Sequence, residues 1–115
     1  MSEECLFCRI VSGDVPATVV ADNDRALAFR DITPVAPTHV LVIPRAHHAN
    51  AAEVAVADPE TLVAMVALAR QVAAADGIED GGYRLVANTG PAAHQTVFHA
   101  HLHVLGGRAM GWPPG

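Results

Sequence analysis

Apolar residues in this chain fall into short runs between glycines and prolines, and the period of the runs changes along the sequence. Residues 5–12 place Leu6, Ile10 and Val11 on one side of a short helix closed by Gly13. Thr18-Val19-Val20-Ala21 reads as a strand, Asp22-Asn23-Asp24 as a turn, and 26–30 as a second strand. Beyond Pro34 and Pro37, residues 39–43 form an apolar run ended by Pro44. The run does not alternate, which predicts a strand buried on both faces. Asp58-Pro59-Glu60 has the composition of a helix start, with Asp58 as N-cap. Leu62, Val66, Ala69 and Val72/Ala73 then recur at helical spacing as far as Asp76, and Gly77 follows as a stop. Residues 83–87 predict a strand, 88–94 a loop, and 97–105 a last strand stopped by Gly106-Gly107. Strands joined mostly by turns, with one long helix between two of them, predict an α+β fold built on an antiparallel sheet.

At 115 residues the chain has the length of one domain, covering 1–115. Of its apolar residues 22 are alanine and 27 are Val, Leu or Ile, so a monomer buries a thin core and partner chains are expected. The formal net charge of −5, with scattered Lys and Arg, excludes a basic stripe for a nucleic-acid polymer. The high apolar content excludes intrinsic disorder. The acidic start, Met1-Ser2-Glu3-Glu4-Cys5, lacks the positive charge and apolar run of an export signal. The longest apolar stretch, 62–69, stops at Arg70, far short of a membrane span. A soluble, cytoplasmic chain without a membrane partner is expected.

Two features carry chemistry. Cys5 and Cys8 are spaced as C-x-x-C, which in a chain without an export signal fits a thiol–disulfide pair or half of a zinc site. The spacing does not choose between them. The second feature is His99-Ala100-His101-Leu102-His103-Val104-Leu105. In a strand the three imidazoles share one face, and Ala100, Leu102 and Val104 share the other, which suits a core. Three imidazoles in a row fill apolar space badly and each needs partners. They fit either a shared metal or a nucleophile or base oriented by its neighbours. Isolated His39 and His48 read instead as structural or exposed residues.

His-x-His-x-His followed by two apolar residues resembles the histidine-triad (HIT) family. Phe29-Arg30-Asp31-Ile32-Thr33-Pro34 and Ala36-Pro37-Thr38-His39-Val40-Leu41-Val42-Ile43-Pro44 resemble its Hint-like branch, as do His103-Val104-Leu105-Gly106-Gly107-Arg108 and Trp112-Pro113-Pro114-Gly115. The resemblance runs from about Cys5 to the end and implies a core over 5–105 with a tail over 106–115. It implies a five-stranded antiparallel sheet, one long helix and a short N-terminal helix, with the sheet continued across a homodimer. It also implies binding of a purine nucleoside monophosphate unit and hydrolysis at its α-phosphate, with nucleoside 5′-phosphoramidates as substrates and no organic cofactor. A nucleotide-binding regulatory module with incidental hydrolysis, or a dinucleoside polyphosphate hydrolase, is the alternative.

Position by position, the resemblance makes His101 the nucleophile that forms a nucleotidyl-histidine, and puts His103 beside the phosphate. Asp31 matches the acid that holds the ribose hydroxyls, and Ile32 lies against base or sugar. Asn88 and Thr96 match polar positions beside the α-phosphate and leaving group, where Ser is common in place of Thr96. The loop 90–96 would offer backbone N–H groups to phosphate oxygens. Trp112 lies in a tail that borders the partner's site in Hint-like proteins.

Two features depart from that pattern. His94, after Ala93, stands where Hint-like chains commonly carry glycine, so a positive φ there would be strained. Cys5 and Cys8 resemble the zinc pair of zinc-carrying relatives, whose other ligands map to His47 and His99, with His48 the alternative to His47. Two thiolates and two imidazoles make a closed set, which is a structural zinc site.

Overall fold

In the computed structural model, which describes residues 5–115, helix α1 (Leu6–Ser12) leads into strands β1 (Val19–Asp22), β2 (Ala26–Arg30) and β3 (Thr38–Pro44). Helices α2 (Ala51–Ala57) and α3 (Pro59–Ala75) follow, then β4 (Tyr83–Val86) and β5 (Leu102–Gly106). Residues 1–4, on which the export-signal argument partly rests, lie outside the described residues. The strands form one sheet in the order β1-β2-β3-β5-β4, and every neighbouring pair is antiparallel. The α+β class and the five-stranded antiparallel sheet expected from the sequence are both present.

Alternation along β2 and β3 divides the apolar side chains between two layers. Ala26, Ala28, Val40 and Val42 join Ala100, Leu102 and Val104 on one face, where Met65, Leu68, Ala69 and Val72 of α3 cover them. Leu27, Phe29, Leu41 and Ile43 occupy the other face with Phe7 of α1. All seven residues of β3 are buried, as its unbroken apolar run predicts. Truncating Leu68 to alanine in this packing costs about 2–5 kcal/mol.

Three local details differ from the sequence expectation. Helix α2 is additional: Asn50 caps it by accepting from the Glu53 N–H at 2.9 Å, and Val54 is its one buried residue. Asp58 stands at the N-cap of α3, but its carboxylate accepts from Arg25 (3.0 Å) and from the Thr61 hydroxyl (2.6 Å) and not from a backbone N–H. The last strand begins at Leu102 and not at Val97. Its ladder with β3 stops at the Val42–Leu102 pair, next to Pro44, which has no N–H to offer. The Ala100 N–H instead donates to the His48 carbonyl at 2.7 Å, drawing residues 97–101 toward the segment after β3.

Candidate functional site

The β3–β5 pairing sets Leu41 opposite His103 and fixes where the histidine run meets the sheet. Ala100, Leu102 and Val104 enter the α3-side core, and the three imidazoles face the layer containing Phe7. The Phe7 ring meets His99 and His101 edge-on, at centroid separations of 5.9 and 5.3 Å.

A cavity of about 660 Å³ opens on this side. Asp31, Ile32, Thr96, His101 and His103 all line it, beside apolar walls from α1 and β2. Its size suits a small organic ligand. Asn88, half-buried two residues beyond β4, is not among the lining residues, and Trp112 is 83% exposed in the tail.

Hydrogen bonds assign protons to the rings. The His101 Nδ1 lies 2.8 Å from the His99 carbonyl, which can only accept, so Nδ1 carries the proton and Nε2 keeps its lone pair. A neutral imidazole in this tautomer is a nucleophile. His39 is buried beside His103. Its Nδ1 accepts from the Val35 N–H at 3.2 Å, so its proton sits on Nε2. That N–H faces His103 Nδ1 at 2.9 Å and Asp31 Oδ2 at 3.4 Å. His103 then carries its proton on Nε2, a buried atom with no partner among the described residues. Burial, with His101 and His39 alongside, lowers His103 to about 4, so it is a neutral N–H donor at pH 7.

Asp31, His39 and His103 are close enough to suggest a metal triad. The Val35 N–H argues against it. A metal on His39 Nε2 would require the proton on Nδ1, where the backbone N–H already donates. Asp31 also serves the turn, its Oδ1 accepting from the Thr33 N–H at 2.8 Å and its hydroxyl at 3.1 Å.

The loop before His101 is braced by Gln95, which is 4% exposed. Its amide oxygen accepts from the Gly90 N–H at 2.9 Å, and its amide nitrogen donates to the Ala49 and Val97 carbonyls at 2.7 and 3.0 Å. Residues Pro91–Ala93 form a 3₁₀ turn, and His94 ends it at φ 67°, the one non-glycine positive φ among the described residues. Sequence reasoning assigned His39 no part in the site and did not single out Gln95. A polar residue before a histidine run is too common to signal the brace.

Behind the cavity, Cys5, Cys8, His47 and His99 converge, with their donor atoms within 4.8 Å of one another. Cys5 Sγ is 3.3 Å from His99 Nδ1, Cys8 Sγ is 3.4 Å from His47 Nδ1 and 3.5 Å from His99 Nδ1, and the two Nδ1 atoms are 3.2 Å apart. His47 joins the cluster and His48 does not. Tetrahedral zinc, with bonds of about 2.3 Å to sulfur and about 2.0–2.1 Å to nitrogen, sets neighbouring donors about 3.3–3.8 Å apart. Three of these four edges, 3.3, 3.4 and 3.5 Å, fall in that range, and the fourth, 3.2 Å, lies just below it. His99 Nε2 donates to the Pro44 carbonyl at 2.9 Å, which turns its Nδ1 lone pair toward the sulfurs. Burial lowers His99 to about 4 and, with Cys5 adjacent, raises the Cys8 thiol to about 11. Two imidazole nitrogens, that of His99 a lone pair, and two thiols with few internal donors suit a cation.

The HIT domain model matches residues 12–110. The 14 kDa zinc-binding protein of Zea mays is 45% identical over 112 residues, covering 96% of this chain and 87% of that protein. The purine nucleoside phosphoramidase of Escherichia coli K12 is 40% identical over 111 residues, with 96% and 93% covered. The crystal structure of a HIT family hydrolase from Legionella pneumophila Philadelphia 1 superposes with a TM-score of 0.92 at 50% identity, covering 97% of this chain and 100% of that one.

Proposed function

This chain belongs to the HIT domain family, and from there we propose that it hydrolyses purine nucleoside 5′-phosphoramidates through a nucleotidyl-histidine on His101. The observation that carries this reading is the 2.8 Å bond from His101 Nδ1 to the His99 carbonyl, which leaves Nε2 as a lone pair in a cavity of nucleotide size. The phosphoramidase from Escherichia coli supports the substrate class.

In the first step His101 Nε2 attacks the α-phosphorus as the P–N bond breaks. The amine leaves with that electron pair and takes a proton from solvent. The imidazole becomes a cation, and the His99 carbonyl on Nδ1–H stabilises it. Water then attacks phosphorus, the pair returns to Nε2, and the nucleoside monophosphate departs. The His103 Nε2–H hydrogen-bonds a phosphate oxygen. Thr96 and the N–H groups of Ala92 and Thr96 meet the phosphate and leaving group, because the N–H groups of Gly90, Ala93, His94 and Gln95 are spent inside the loop and Pro91 has none. Asn88 adds a polar group from outside the cavity lining. Asp31 holds the ribose with the capacity its turn bonds leave free, and Ile32 lies against base or sugar. Trp112 contributes from the tail to the partner's site.

Cys5, Cys8, His47 and His99 would hold one zinc ion, whose chemistry would be structural: with two thiolates and two imidazoles around it, the set would tie α1 to the segments after β3 and before β5. The protein is a homodimer joined along β4, an edge strand that exposes Leu85, while α3 exposes Val63 and Val66. No helix among the described residues is long and apolar enough to cross a membrane.

The test is His101→Ala. That variant is expected to stay folded, to bind adenosine monophosphate and to lose turnover of an adenosine phosphoramidate. Turnover at the wild-type rate would refute the mechanism. Negligible wild-type turnover alongside tight binding of another protein would favour the regulatory module.

A further inference from the structure

Helix α1 takes part in both sites. Cys5 caps it, accepting from the Cys8 N–H at 3.2 Å, and the two sulfurs face His47 and His99. Leu6, Phe7 and Ile10 of the same helix line the cavity. Phe7 joins the two faces, since its buried ring meets both His99 and His101. At seven residues α1 is too short to persist alone. What holds it is the Phe7 layer and the four-residue cluster. By contrast, α3 covers the opposite face of the sheet with a core that includes no residue of α1.

We infer that the metal cluster and the nucleotide cavity are coupled through α1, so that zinc and nucleotide each raise the other's affinity. This rests on the nucleotide reading above and adds to it that the cavity wall is complete only when Cys5 and Cys8 are tied to His47 and His99. Without that tie the helix frays, Leu6 and Ile10 leave the cavity wall, and Phe7 leaves the edge of His101. The core on the α3 side keeps the sheet folded. Thermodynamic linkage makes the effect reciprocal, since whatever orders α1 for one ligand has already ordered it for the other.

The experiment measures adenosine monophosphate binding by calorimetry, on zinc-loaded and chelator-stripped protein. In parallel, zinc affinity is measured against a chromophoric chelator with and without the nucleotide. The expected result is about tenfold weaker nucleotide binding after stripping, and zinc affinity raised by the same factor when the nucleotide is present. Circular dichroism of the stripped protein should lose about one short helix and keep the sheet. Phe7→Leu retains all four ligands, so it should still bind one zinc per chain but show a smaller difference between loaded and stripped forms. Equal nucleotide affinity in both forms would overturn the coupling and leave the nucleotide reading intact. Failure of the zinc-loaded protein to bind the nucleotide would overturn both. Loss of the whole dichroism signal on stripping, or no zinc in wild type, would also overturn the coupling through α1.

Discussion

The Nε2 atom of His39 lies 2.9 Å from Nδ1 of His103, joining two rings 64 residues apart in sequence. The Val35 N–H fixes the direction of the bond, because it makes His39 Nδ1 an acceptor and sends the ring proton to His103. His39 thereby holds His103 in the tautomer that carries its proton on the buried Nε2.

Replacing His39 with alanine should free the His103 ring to adopt the other tautomer. Turnover of an adenosine phosphoramidate is expected to fall about tenfold, the worth of one well-aligned hydrogen bond. Binding of adenosine monophosphate, measured by calorimetry, should change less than kcat. Wild-type kcat in a folded His39→Ala would show that His103 needs no such orientation.

Asp76 accepts both guanidinium nitrogens of Arg30, at 2.6 and 2.9 Å, and the Thr38 hydroxyl at 2.7 Å. The Arg30 bonds first, and Thr38 after them, lower its carboxyl below the ordinary value. A carboxylate lowered on folding adds stability that is fully present above its unfolded value, about 3.9, and is lost as pH falls through the folded one. Asp76→Asn should cost about 1–3 kcal/mol at pH 7. Urea titrations of variant and wild type are expected to converge as the pH falls below about 4.

His94 holds φ 67°, which costs a residue with a Cβ about 1–2 kcal/mol. Glycine removes that cost but gains disorder when unfolded, worth about 0.5–1 kcal/mol. His94→Gly should therefore stabilise the chain by about 0.5–1 kcal/mol, read as a higher urea midpoint at unchanged slope. An unchanged or lower midpoint would mean that the histidine side chain compensates for its backbone.

Metal analysis of purified protein should find one zinc per chain, and Cys5→Ser or His47→Ala should carry far less. A chelator should lower the wild-type Tm and leave the Tm of Cys5→Ser nearly unmoved. Wild-type protein free of stoichiometric zinc would remove the structural-metal reading.

Much of this geometry follows from period and spacing. Alternation alone sends Ala100, Leu102 and Val104 into the core and the three histidines to the other side. The periodic run from Leu62 and the Pro59 start mark α3 to within a residue or two. Helix α2 was not legible, because Ala51–Ala57 is alanine-rich and buries only Val54, which leaves no periodic stripe. The late start of β5 depends on the Pro44 end of its neighbour and on a bond from Ala100 to His48, both properties of the pairing and not of 97–101 itself. His39 in an apolar strand looks like any buried histidine until β5 sets His103 beside it. The Cys5–Cys8 spacing fitted a redox pair or half of a zinc site, and only the folded chain brings both sulfurs to His47 and His99 and leaves His48 outside the cluster.

His99 offers its ring to the cysteine cluster and its carbonyl to His101. The carbonyl belongs to the main chain, so replacing the His99 side chain takes one ring from the cluster and leaves in place the acceptor that holds the His101 proton. On the reading proposed above, a descendant that loses this ring gives up the metal and the order that α1 lends the cavity wall, yet keeps the tautomer of His101.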